Sequence, residues 1–479
     1  MKVILMKHKT LPYPAPLFPL AIALSTGIMA GSFHPLPTAV VLGLLAVTMV
    51  LTMLTGRRPQ LQSVGLLVCS VLIGLAIAPD KKDHEGTAKG QTEWMEAVVT
   101  SRPSARPKTM RIDLLLPVKG KEKRCYFWTG GDSTTALPSL GQNILVRIHA
   151  NQFVSSSDWT IGGRATSRLS SMQRLRLRAL LWRDKLLARL TADASAEARP
   201  DAEAVLAAMV LGDKTAIDRQ LRSTYATTGA SHILALSGLH LGIIYLLLTR
   251  LIPGRRRFWL TQVLTVVAIW AFALLTGLSV SVIRAALMIS AYALFSMGGR
   301  RRAPLGVLSL TAIVMLLADS SAIFDVGFQL SFLSMLSILL WMPLADSVVP
   351  LSWMRSHPVL QGLYGLLAVS LAAQLGTAPL VAYYFGQLPT YFLLTNLLVV
   401  PAATLILYGS VVTLIIPALS GVLLRLVGWL NTALAWMSAW PAASIGGLHP
   451  SVVQVVAAYV VEAVVWLLLF RLVGNRRRV

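Results

Sequence analysis

The chain has 479 residues, of which 55% are apolar and only 13% charged, yet its formal charge is +23. A mean hydropathy of +0.67 lies outside the soluble globular range and excludes a large cytosolic enzyme domain. A bilayer core about 30 Å thick takes roughly 20 apolar residues per helix, and such runs recur from Phe18 to Phe470 with one long interruption.

Three spans open the chain, near 17–33, 38–55 and 62–78, and form an N-terminal membrane segment over residues 1–78. The first run has the basic flank of a signal peptide (Lys2, Lys7, Lys9), but two further spans follow closely, so it reads as a retained helix. Residues 79–165 are polar. Within them Trp94–Ser101, Met110–Val118, Arg124–Thr129 and Ile144–Phe153 alternate in polarity and are rich in β-formers, with Gly120, Gly130, Gly131 and Gly141 between them. Such strands suit a small barrel, with an OB-like barrel as one candidate. Cys69 lies in an apolar run and Cys125 in this polar domain, so no bridge between them is expected.

Residues 166–229 read as a basic amphipathic helical linker. Around it stand Arg164, Arg168, Arg174, Arg176, Arg178, Arg183, Lys185 and Arg189, and Leu177, Leu180 and Leu187 share an apolar arc. A second membrane block, residues 230–472, divides into spans near 230–249, 258–276, 281–297, 304–318, 328–345, 361–384, 391–417, 420–440 and 450–470, with Pro401 a candidate break. A basic tail, 473–479, closes the chain. Basic loops stay cytoplasmic. Lys7 and Lys9, Arg57 and Arg58, Arg255 to Arg257, Arg300 to Arg302 and Arg476 to Arg478 share one side if there are about twelve spans. The expected fold is a polytopic α-helical membrane protein of about 12 spans, with a small OB-like β-barrel domain inserted after the third. Both termini are then cytoplasmic, in the inner membrane, and residues about 79–229 lie outside.

The densest chemical signal is YATTGASHILALSGLHLGIIY, residues 225–245, with His232, Ser237 and His240 inside an apolar stretch. Ionisable side chains at membrane depth face protein or water rather than lipid. The histidines are therefore either inter-helix hydrogen bonders or the lining of a polar passage. A third reading makes Ser237 a nucleophile with His240 as base, although no orienting carboxylate is visible. Arg284, near the outer end of a span, either snorkels to the interface or pairs with an acid or a phosphate. Asp325 suits a helix N-terminus and Gln329 follows it. Gln374 and Asn396 sit within spans as inter-helix glue or pore lining, and Glu462, mid-span, needs a partner or a proton.

Gly212–Asp213–Lys214–Thr215 looks like a phosphate loop, but Asp213 and Ala208 occupy positions where the motif requires glycine, so an ATPase is rejected. The eight histidines show no metal-hydrolase grouping, and no cofactor is expected.

HILALSGLHLGII resembles the signature of the ComEC family, the membrane channel proteins of bacterial DNA uptake. In that family it follows a Gly-Asp/Glu-Lys/Arg stretch, here within Leu211–Thr215. The likeness continues in family order through LTGLSVSVIRAALM, DVGFQLSF, QLGTAPLVAYYFGQ and TNLLVVP, and covers roughly residues 205–470. Many members also carry a metallo-β-lactamase-like domain with a histidine/aspartate cluster, which these residues lack. Nuclease activity is therefore not carried over.

The resemblance implies import of single-stranded DNA across the inner membrane, served by an outer DNA receptor, a cytoplasmic DNA motor or single-strand-binding proteins, and a separate nuclease. Pathway candidates are His232, Ser237, His240, Arg284, Asp325, Gln329, Gln374 and Asn396. Candidate DNA contacts are Arg164, Arg168, Arg174, Arg176 and Arg178, with stacking faces from Tyr126 and Trp128. Membrane lipid is the competing partner for the arginine helix. A transporter of another anionic polymer or lipid, and an intramembrane serine hydrolase, remain the rival functions.

Overall fold

The computed structural model describes residues 16–34, 36–55, 58–79, 94–105, 109–116, 121–128, 138–148, 153–163, 165–192, 200–236, 238–251, 258–297, 304–349 and 356–476. Most of the basic loop residues used above for orientation lie outside them.

Three helices begin the chain: α1 (Leu17–Phe33), α2 (Thr38–Leu54) and α3 (Pro59–Ala76). Small residues let α1 and α3 touch backbone to backbone, since a Cβ on Gly27 would strike the Val71 carbonyl and one on Gly74 the backbone of Leu24 and Ile28. The α1 helix also packs on the later helix α11 (Pro304–Ala318), through Leu24, Ile28, Met315 and Leu316.

The polar domain after α3 is one sheet built from β1 (Trp94–Val99), β2 (Ser104–Ala105), β3 (Thr109–Leu116), β4 (Lys121–Trp128), β5 (Asn143–Arg147), β6 (Phe153–Val154) and β7 (Trp159–Ile161). Its order is β6-β4-β3-β1-β5-β7, with β2 added on β3. Alternation assigns one face to the core, where Ala97, Val99, Ile112, Leu114, Leu116, Cys125, Phe127, Ile144 and Val146 are buried together. Flat strands would separate β4 from β7 by four spacings, about 19 Å, yet the Phe127 and Trp159 rings sit 5.8 Å apart. The sheet is therefore strongly curled. It is not the closed barrel expected from the sequence. The end strands β6 and β7 are two and three residues long, and the chain between them forms a 3-10 turn, Ser156–Asp158, with a Ser155/Asp158 capping box.

Helix α4 (Ser171–Leu190) follows, capped by Ser170 and Gln173, then α5 (Pro200–Leu211) and α6 (Arg219–Thr227). Leu177, Leu180 and Leu187 are buried as their spacing predicts, joined by Leu190 and Arg183. The whole of α5 beyond its first turn is buried, in a core shared with α6, α14 (Phe392–Ile415) and α15 (Ser420–Ser438).

The remaining helices are α7 (Ser231–Leu234), α8 (Gly238–Leu251), α9 (Phe258–Leu275), α10 (Val280–Met297), α12 (Val326–Val348), α13 (Pro358–Phe385) and α16 (Val452–Arg476). The protein is a polytopic helical membrane protein. Among the described residues, eight helices are long and apolar enough to cross a membrane, against about twelve spans expected. Each of the other four expected spans coincides with an apolar helix, but these are 17, 17, 14 and 15 residues long. At about 1.5 Å per residue they fall short of a full hydrocarbon core. The expected span 230–249 is broken, because Ala235 is extended and the helix restarts at Gly238. Pro401, by contrast, sits inside a continuous α14.

Polar stitches hold the block. Ser337 donates to the Ala372 carbonyl at 2.6 Å, Tyr459 to Gly376 at 3.0 Å and Trp466 to Leu340 at 2.9 Å. Glu462 finds its partner in the Trp341 indole N–H, at 3.0 Å.

Candidate conduit mouth

Connections at one end of the bundle converge. Strands β8 (Gln387–Pro389) and β9 (Ser444–Gly446) pair antiparallel and join the α13–α14 and α15–α16 connections. Gly229, with φ +82, leaves no room for a Cβ against Pro389, whose Cγ would lie 3.0 Å away. Gly212 is similarly closed off by Leu236, with Thr276 beside it. Thr276 in turn opens the α9–α10 turn, where Gly277 and Leu278 both have positive φ. The α10 start is tied to the α12 start by Arg284 and Asp325. The segments 209–215, 229–238, 276–284, 319–329, 386–391 and 444–446 thus share one end.

Arg284 is buried while Asp325 is exposed, with 4.0 Å between Nη1 and Oδ1. Asp325 is already committed, since its Oδ1 accepts from the Phe328 amide at 2.8 Å and caps α12. Arg284 Nε has no hydrogen-bond partner among the described residues. The guanidinium is therefore held in place but incompletely neutralised. Gln329, one turn after Asp325, donates to the Ile323 carbonyl at 2.8 Å and accepts from Tyr384 at 2.9 Å, so α12 and α13 are linked beside the arginine.

His232 is exposed, and its Nδ1–H donates to the Gly229 carbonyl at 3.1 Å, which fixes the proton on that nitrogen. His240 is buried in the first turn of α8. Helices α8 and α10 pack on each other with α9 between them in sequence. Their starts therefore share the mouth end, which puts His240 and Arg284 on one level. Gln374 is half-buried midway along α13, and half-buried Asn396 keeps its Oδ1 inside the protein without a partner among the described residues. Neither joins the arginine cluster by any hydrogen bond found. Ser237 and Arg164 lie outside the described residues.

The lookalike phosphate loop has a different job. Asp213 is buried, receives the Thr215 amide and hydroxyl at 3.1 and 2.7 Å, and pairs with Arg183 of α4 at 3.4 Å. It therefore joins α4, which follows the sheet, to the start of the membrane block.

On the sheet, β4 turns Phe127 inward and Arg124, Tyr126 and Trp128 outward. Tyr126 lies 5.6 Å from Phe153 on β6 and opposite Arg111 on β3, while Trp128 is half exposed. Asp113 balances Arg111 and Arg124 at 3.1 and 3.5 Å. Arg111, Arg124 and Phe153 were not among the sequence candidates, although strand alternation alone sets Arg124 beside Tyr126 and Trp128. Arg168 pairs with Glu96 at 3.3 Å, Arg174 and Arg178 are exposed, and Arg176 is half-buried.

A sequence model described as competence protein matches residues 209–472, more than half of the chain. The chain belongs to the competence protein family. Within this competence block fall all the mouth segments just described. Among similar proteins, ComE operon protein 3 of Bacillus subtilis is 31% identical over 245 residues, 50% of this chain and 30% of that protein. An uncharacterized protein of Aquifex aeolicus is 33% identical over 191 residues, 39% of this chain and 41% of its own. Uncharacterized protein YcaI of Escherichia coli is 25% identical over 232 residues, 46% of this chain and 30% of its own. The match thus spans under half the length of each of these relatives. No solved structure matches.

Proposed function

We propose that this competence-family chain is a conduit for single-stranded DNA across the inner membrane, with both termini cytoplasmic and residues about 79–229 outside. The observation that carries the reading is the convergence of the family-matched segments, with the buried and half-neutralised Arg284, at one end of the bundle. The arginine-bearing outer module docks at that same end. An incompletely paired guanidinium suits a passing phosphate, and the Arg111, Arg124, Tyr126, Trp128 and Phe153 face combines cations with stacking rings as single strands require.

An inside-negative potential opposes each inward phosphate by up to ~2.3 kcal/mol per charge per 100 mV. Without an ATPase motif the chain does not supply that work. In this proposal a cytoplasmic motor or single-strand-binding proteins draw the strand in, an outer receptor delivers it, and a separate nuclease removes its complement.

The test is transformation of a chromosomal deletion strain, with labelled DNA followed into the cytosol. The deletion strain is expected to hold label outside and to admit it only when the wild-type gene is restored. Cytosolic label at the wild-type level without the gene would overturn the proposal. Competition by heparin equal to that by DNA would widen the passenger to anionic polymers at large.

A further inference from the structure

Helix α4 divides its circumference into three arcs. Leu177, Leu180, Arg183, Leu187 and Leu190 are buried against the protein. At about 100° per residue, Leu175, Trp182 and Leu186 fall within roughly 40° of one another, next to that buried arc. Leu175 and Trp182 are 47% and 62% exposed. The cations Arg174, Arg178, Lys185 and Arg189, all exposed, occupy the next ~60°. Lys185 Nζ lies 5.6 Å from the Trp182 ring, at the boundary between the two.

The depth of the helix is set independently. Leu180 sits against Gly277, where an added Cβ would lie 3.4 Å from it. Gly277 is in the turn joining the spanning helices α9 and α10, and α4 also packs on α9 and α14. The helix therefore lies at the level where spanning helices end, which is the headgroup region. Trp440, in ring contact with both Tyr391 and Trp436 beside the β8–β9 ribbon, marks the same level with them, as interfacial aromatics do.

We infer that α4 is an interfacial helix. Its Leu175–Trp182 arc enters the outer leaflet, and its four-cation arc binds anionic lipid headgroups. A stranded, mainly aliphatic stripe beside a cationic one is the composition that a lipid surface selects, whereas single-stranded nucleic acid takes cations interleaved with several stacking rings, of which this stripe has one, Trp182. The bulk of the helix is pinned by the protein, so its lipid contacts anchor the outer module at a fixed tilt to the bilayer. The inference holds whatever the passenger is.

The test uses the full chain with Cys69→Ser, reconstituted in nanodiscs of phosphatidylcholine with or without phosphatidylglycerol. A fluorophore is placed at Leu175→Cys or Trp182→Cys, both exposed positions. Quenching by doxyl groups on lipid chains, with little quenching by iodide, is expected at both positions. Energy transfer from position 182 should favour labelled phosphatidylglycerol over phosphatidylcholine, and Arg178→Gln should lower that preference roughly fivefold. Iodide quenching as strong as for free dye at both positions would overturn the inference. So would shielding of the fluorophores by an added single-stranded oligonucleotide, which would make this face a nucleic-acid surface.

Discussion

Single side chains set the character of the mouth. Arg284 is buried, its partner Asp325 is spent on capping α12, and part of its hydrogen-bonding capacity is unused. A charge-assisted bond to a phosphate is worth about 1.5–3 kcal/mol. Arg284→Met, which keeps the volume, should therefore lower DNA uptake by roughly ten- to a hundredfold, with the protein still present in membranes by immunoblot. Asp213→Ala acts differently, because it strands the buried Arg183 and should cost about 3–5 kcal/mol. Thermal unfolding in detergent would read this, and Arg183→Leu in the same chain should recover most of it. Cys125 is fully buried, and burial pushes its thiol up to about 12. The folded domain holds that proton after the unfolded chain has released it near pH 8.5. This contribution is complete below that pH and is lost as pH rises toward 12. In a Cys69→Ser background, maleimide should leave Cys125 unmodified at pH 8 until denaturant is added.

Elements were legible where periodicity and length agree. The helices at 258–275, 280–297 and 304–318 follow apolar runs bounded by turns, and α4 buries the leucines its spacing selects. What was not legible depends on contacts distant in sequence. The sheet stays open because β6 and β7 each pair inward, on β4 and β5, and not with each other among the described residues, which the alternation of their residues cannot reveal. Composition makes 230–249 one apolar run, whereas packing of Gly229 on Pro389 and of Leu236 on Gly212 bends the chain there. In the mouth, the residue types were readable from Arg284 and Asp325. The sharing of Asp325 between a helix cap and the arginine was not, since it needs the meeting of α10 and α12. The outward face of β4 gives a test at this scale. Trp128→Ala, half exposed and outside the core, should leave the sheet folded and weaken binding of a single-stranded oligonucleotide by about 1–3 kcal/mol, read by fluorescence anisotropy.

Over the whole molecule, the β8–β9 ribbon has a mechanical consequence. It ties the α13–α14 connection to the α15–α16 connection, and along their lengths α13 packs on α14 and α16 while α14 packs on α15. Cysteines at Leu388 and Ile445, which face each other across the ribbon, should tolerate oxidation to a disulfide with no loss of DNA uptake in the transformation assay. On the conduit proposal, those four helices would be the stationary jamb of the doorway. In that proposal, the widening that admits a bulky polymer falls to helices outside the clasp, such as α8, α9 and α10, whose flanking turns carry the left-handed residues Gly229 and Gly277.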